Sequence, residues 1–238
     1  MPELAQLASG VALLTVGGLA AGAAGLACCC ACGDALGEAP PPAPGASARV
    51  DRPLPDPTRV WVVGHSGTGK TTTARNMAAK LGALHVDLDE LHWLPGWQER
   101  PGDEMRAMLA AHLATAPGGR WVISGNYQRF VGEMLRDSMT ALVWAHPLFY
   151  ANQRQIWRRT AARWLDGGTC CNGNTESLQN ILQLNNGSIL YWCWFGRERC
   201  TGKIQLLIDE VLATGKLRPE DVLELRSLAD ADSLVAAC

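Results

Sequence analysis

Gly64-His65-Ser66-Gly67-Thr68-Gly69-Lys70-Thr71 is the stretch from which the rest of this chain is read. It fits the pattern G-x-x-x-x-G-K-[ST], and its surroundings fit as well. Before it, Arg59-Val60-Trp61-Val62-Val63 predicts a buried strand; after it, residues 72–81 predict a helix. In that setting successive backbone N–H groups converge on a phosphate at a helix N-terminus, where the macrodipole also favours negative charge. Gly64, Ser66, Gly67, Thr68, Gly69, Lys70, Thr71 and Thr72 are therefore the expected nucleotide-binding set. Lys70 is expected to reach the β- and γ-phosphates, and Thr71 to offer its hydroxyl to Mg²⁺.

Composition narrows the partners. The 238 residues carry a formal net charge of −2, which argues against a general polyanion-binding surface, so nucleic acid is not expected. Cys28, Cys29, Cys30 and Cys32 crowd together as no ordinary disulfide framework does. Cys170, Cys171, Cys193, Cys200 and Cys238 form no C-x-x-C pair and have no histidine at zinc-finger spacing. A phosphate-loop chain with this scatter belongs in a reducing compartment, the cytoplasm or a reducing organelle.

Residues 1–57 read differently from the remainder. Residues 8–32 are almost wholly Ala, Gly, Leu, Val and Cys, and Pro40-Pro41-Pro42-Ala43-Pro44-Gly45 follows as an extended linker. The apolar stretch is just long enough to span a bilayer, although Ala and Gly contribute little transfer free energy. Glu3 and the lack of any Lys or Arg before Arg49 spoil a secretory signal. A disordered low-complexity extension, a targeting segment or membrane tether through residues 8–32, and a structured element are the alternatives.

Residues 58–238 alternate strands and helices, the pattern of an α/β domain with a parallel sheet. Strands are expected at 59–63, 83–87, 121–124, 141–145 and 222–225. Helices are expected at 72–81, 101–116, 129–138, 146–166, 175–184 and 188–213, with a short terminal helix. Residues 88–97 and 167–174 read as loops. Ligands of such sheets sit beyond the carboxyl ends of the strands, which gathers the loop with Asp87, Asp89 and Gly125-Asn126-Tyr127. Of Asp87 and Asp89, one carboxylate is expected to hold Mg²⁺ with Thr71 and the other to accept the proton of an acceptor hydroxyl. His92 and Trp97 are candidate acceptor contacts, with closure of their own loop as the alternative. Arg154, Arg158, Arg159 and Arg163 share one expected helix with no acid among them, and guanidinium forks suit phosphate oxygens.

Together these blocks resemble the adenylate-kinase-like family of phosphate-loop proteins labelled DNA topology modulation protein, or FlaR-like. The matching pieces are Gly64 to Thr72, Asp89 with Leu91-His92-Trp93 and Pro95-Gly96-Trp97, Gly125-Asn126-Tyr127, the arginine helix, Asn172-Gly173-Asn174-Thr175-Glu176-Ser177, and Ser188-Ile189-Leu190 with Trp192. The resemblance covers about residues 58–237. It implies a three-layer P-loop kinase fold, a five-stranded parallel sheet of order 2-3-1-4-5, and a helical arginine-bearing lid at about residues 150–185. It also implies Mg·ATP as donor, with Asp89 and Asn126 near the acceptor. The family's usual aspartate before Gly125 is Ser124 here, so metal binding must lean on Thr71 with Asp87 or Asp89. The function expected is ATP-dependent phosphoryl transfer to a nucleoside, nucleotide or small hydroxylated metabolite. The alternative is a catalytically weak, nucleotide-binding regulatory protein associated with nucleic acid, as the family's label implies.

Overall fold

The computed structural model describes residues 53–177, Ile181 and residues 188–238. The apolar stretch 8–32, the cysteine cluster at 28–32 and most of the helix expected at 175–184 lie outside the described residues.

In chain order the elements are β1 (Arg59–Gly64), α1 (Lys70–Leu81), β2 (Leu84–Asp87), α2 (Leu88–His92), β3 (Trp93–Leu94), β4 (Gln98–Glu99), α3 (Gly102–Ala114), β5 (Trp121–Ser124), α4 (Gln128–Ser138), β6 (Ala141–Ala145), α5 (Phe149–Leu165), β7 (Thr169–Cys170), β8 (Asn174–Thr175), α6 (Ile189–Phe195), α7 (Arg197–Ala213), β9 (Val222–Leu225) and α8 (Leu228–Ala237). The central sheet runs β2-β5-β1-β6-β9, every pairing parallel, which is the order 2-3-1-4-5 among the five expected strands. Parallel strands covered on both faces need near-continuous apolar runs. Val60 to Val63 and Ala141 to Ala145 meet that need and are buried throughout.

Two packed clusters flank the sheet and make three layers. On one side Ala74, Met77 and Ala78 of α1 join Ala231 and Leu234 of α8 against Val60, Val62 and Leu223. Leu54 is buried in the same cluster. On the other side Met105, Leu109, Val131 and Leu135 of α3 and α4 continue into Ile204, Leu207 and Val211 of α7. Alternate residues of one strand feed opposite clusters, as a period of two requires.

Three expectations are revised. Residues 88–97 are not one loop: α2 forms because the Asp87 carboxylate accepts from the Asp89 amide at 3.1 Å, capping the turn, and β3 pairs with β4 across Pro95-Gly96. Residues 167–174 contain a second hairpin, β7 with β8, turned by Asn172 and Gly173 in left-handed conformation. The helix expected at 188–213 divides at Gly196 into α6 and α7. Local turn chemistry overrode the polar composition in the first two cases.

Candidate functional site

The loop between β1 and α1 is shaped by what lies on it. Gly67 has φ 77°, and a Cβ there would sit 2.2 Å from Cγ1 of Ile156 and 3.0 Å from Oδ1 of Asn152. Only glycine permits both the backbone turn and this approach of α5. Gly69, φ 86°, precedes α1, whose N-terminus has no side-chain cap and no acid in its first turn. The positive end of the helix therefore has neither cap nor acid within its own first turn, an arrangement that suits an anion. Thr68 closes the turn by donating its hydroxyl to the His65 carbonyl at 2.8 Å. Lys70 is buried at the start of α1, and Thr71 beside it is half-buried.

Acids meet this cationic end from β2. Burial, and then the neighbouring Asp89, push the Asp87 carboxyl up to about 7, while the Lys70 charge pulls it down. Asp89 is buried and accepts a hydrogen bond from the Tyr127 hydroxyl at 2.8 Å. Asn126 brackets Gly64 from both sides: its Oδ1 accepts from the Gly64 amide at 2.9 Å and its Nδ2 donates to the Gly64 carbonyl at 3.0 Å. The Gly125 carbonyl accepts from Nε1 of Trp61 at 2.7 Å. Gly125, Asn126 and Tyr127 thus tie the phosphate-loop strand to the acidic pair.

Ser124, where the resemblance led us to look for a carboxylate, is fully buried between Val62 and Asp87 in the parallel register. Its hydroxyl lies 3.4 Å from Nε2 of His85, whose pKa burial lowers to about 4. Asp87, one strand outward on β2, carries a carboxylate within electrostatic reach of Lys70.

The arginine helix has two unlike faces. Asn152, Ile156 and Thr160 are buried on the side that meets the loop. Arg159 and Arg163 are half-buried near that side, and Arg163 donates to Glu176 at 2.9 Å. Arg154 and Arg158 are exposed on the opposite face, so the four guanidiniums do not converge.

Trp97 is brought together with the β7–β8 hairpin, whereas His92 is not shown to touch it. His92 packs on Tyr127 with ring centroids 4.6 Å apart, and burial lowers its pKa. Trp97 is buried edge-to-face on Trp93 at 5.6 Å. Its amide donates to Oδ1 of Asn174 at 2.9 Å and its indole to the Thr175 carbonyl at 3.1 Å. Asn172 donates to the carbonyls of Trp93 and Glu90 at 2.6 and 2.7 Å. In this arrangement the indole is a joint between two hairpins.

Sequence reading missed His65 and Asn152. Burial, then the charge of Lys70, lower the His65 pKa to about 4, and its ring stacks on Trp192 at 6.3 Å. Neither ring nitrogen of His65 and neither amide atom of Asn152 has a hydrogen-bond partner among the described residues. Both sit at variable motif or helix positions, where residue spacing carries no signal.

A family model described as an AAA domain matches residues 60–165, from β1 to the end of α5. Among solved structures, a gluconokinase from Sinorhizobium meliloti 1021 is similar, with 19% identity and a TM-score of 0.41, over 78% of this chain and 93% of that one. A shikimate kinase from Acinetobacter baumannii in complex with shikimate shows 16% identity and a TM-score of 0.38, over 74% of this chain and 88% of its own. Another, from Bacteroides thetaiotaomicron, shows 16% identity and a TM-score of 0.37, over 75% and 94%. No curated protein matches.

Proposed function

We propose that this chain is an ATP-dependent small-molecule kinase acting on a hydroxylated metabolite, nucleoside or nucleotide. One observation carries the reading. The half-buried Asp87, next to buried Asp89, lies within electrostatic reach of Lys70 at the uncapped N-terminus of α1, with α5 across the loop. A buried cation at a helix N-terminus with carboxylates close by suits transfer from a polyanion to a hydroxyl.

The residues fit Mg·ATP. Backbone amides around Gly67 and Gly69 would hold the β-phosphate, and Lys70 the β/γ oxygens. Thr71 and Asp87 would hold Mg²⁺, which when bound supplies charge neutralisation at the phosphate oxygens. Asp89, oriented by Tyr127, would take the proton of the acceptor hydroxyl. Arg159 and Arg163 would offset developing negative charge when α5 and the β7–β8 hairpin settle over the loop, and closure would keep water from competing. Arg154 and Arg158 would join only by crossing from the exposed side of the helix.

The test is a panel of nucleosides, nucleoside monophosphates and polyhydroxylated acids scored for acceptor-stimulated ADP release by the full chain. At least one class should stimulate, and Lys70→Ala should abolish the stimulation. ATP binding with no stimulated turnover would instead favour the non-transferring alternative that Ser124 raises.

A further inference from the structure

The outward face of α5 has no place in the proposed chemistry, and its composition is unusual for a free surface. Tyr150, Trp157 and Trp164 recur every seventh residue, so they share one stripe along the helix. Their exposures run from 48% at Trp164 to 81% at Tyr150. Leu148, just before α5, and Leu165, its last residue, are more exposed than either tryptophan. The stripe continues onto α6 through Phe149, which lies 5.4 Å from the Tyr150 ring and 5.0 Å from the half-exposed Trp194. Arg154 and Arg158 run alongside, both exposed, and α5 contains no Asp or Glu.

We propose that this face docks on an anionic lipid bilayer. Large contiguous apolar patches on a surface mark interaction sites. Trp and Tyr at the edge of an apolar strip, with arginines beside them, match the headgroup boundary, where rings lie among acyl ends and guanidiniums meet lipid phosphates. The absence of acid on the helix gives the charge complementarity. The exposed aliphatic ends Leu148 and Leu165 favour a bilayer over a single-stranded nucleic acid, which would use the rings but not the leucines. The sequence beyond the described residues agrees. Residues 8–32 are apolar and reach the domain through a proline-rich linker, and stable membrane attachment takes two weak signals rather than one.

The test floats the full chain with phosphatidylcholine vesicles and with vesicles of phosphatidylcholine and phosphatidylglycerol at about 7:3. Binding should be about tenfold or more tighter to the anionic vesicles and weaken with salt. Trp157→Asn with Trp164→Asn should lose at least about tenfold while ATP affinity, read by calorimetry, stays unchanged as the check on folding. Arg154→Gln with Arg158→Gln should remove the preference for anionic lipid. Three results would overturn the proposal: no binding to either vesicle, binding that survives the tryptophan pair and so belongs to residues 8–32, or binding of an oligo(dT) 20-mer or a second copy in place of vesicles.

Discussion

Asp87 keeps a proton at a pH where a solvated aspartate has lost it, because burial and Asp89 both disfavour its charge. Its unfolded value is near 3.8 and its folded value about 7. Between those limits the folded state binds the extra proton, so this group's contribution to stability falls as pH rises from about 4 through 7. Asp87→Asn retains a side-chain oxygen to cap α2 and removes the ionisation. It should therefore stabilise the fold on the order of 1–2 kcal/mol at pH 8 and scarcely at all at pH 4, read from urea midpoints. His65 and His85 act with the opposite sign, since both are held at about 4, below the ordinary 6.5. Their contribution is complete above 6.5 and is lost as pH falls towards 4, so replacing either by Asn should flatten the acid limb of the pH–stability curve. Lys70→Ala belongs to the same scale: it should lower ATP turnover by roughly 10²–10³-fold, measured as ADP release.

Among elements, the contact of α5 with the phosphate loop is the one on which the site depends. Gly67→Ala would meet Ile156 and hold a left-handed residue with a side chain, so loop and helix would have to separate. A loss of about 2 kcal/mol or more is expected, together with weaker ATP binding, checked by thermal melts with and without nucleotide. The joint between the hairpins is a second such contact. Asn174→Ala would leave the buried Trp97 amide and the Leu94 carbonyl without their partner, at a cost of about 1–3 kcal/mol in unfolding free energy. Hydrogen exchange should then quicken across β3, β4, β7 and β8 ahead of the sheet.

At the scale of the molecule, what was legible in the sequence followed burial. Val60-Trp61-Val62-Val63 and Ala141 to Ala145 are apolar because a parallel sheet buries both faces, so the strands could be read from burial, whereas their order in the sheet was implied by the family resemblance alone. Features carried by single backbone contacts were not legible. Asp87 capping α2 looks like any loop acid, and the Asn172-Gly173 turn looks like polar linker until its partner strand is placed. The division of the arginine helix is the clearest case. Four arginines on one segment suggest a common purpose, yet Ile156 fixes the rotation of α5 and sends Arg154 and Arg158 outward. Orientation is a tertiary property, decided by which side chain fills the space over Gly67. No helix among the described residues is long and apolar enough to cross a bilayer.

The most direct measurement pairs calorimetric binding of Mg·ATP with acceptor-stimulated ADP release for wild type, Lys70→Ala and Asp89→Asn. Nucleotide binding should weaken in Lys70→Ala as its turnover falls by roughly 10²–10³-fold, whereas Asp89→Asn should bind ATP within about threefold of wild type yet transfer at least about a hundredfold more slowly. Wild-type turnover in either variant would contradict the account, because the cation and the carboxylate would then not face one another across the reacting phosphate.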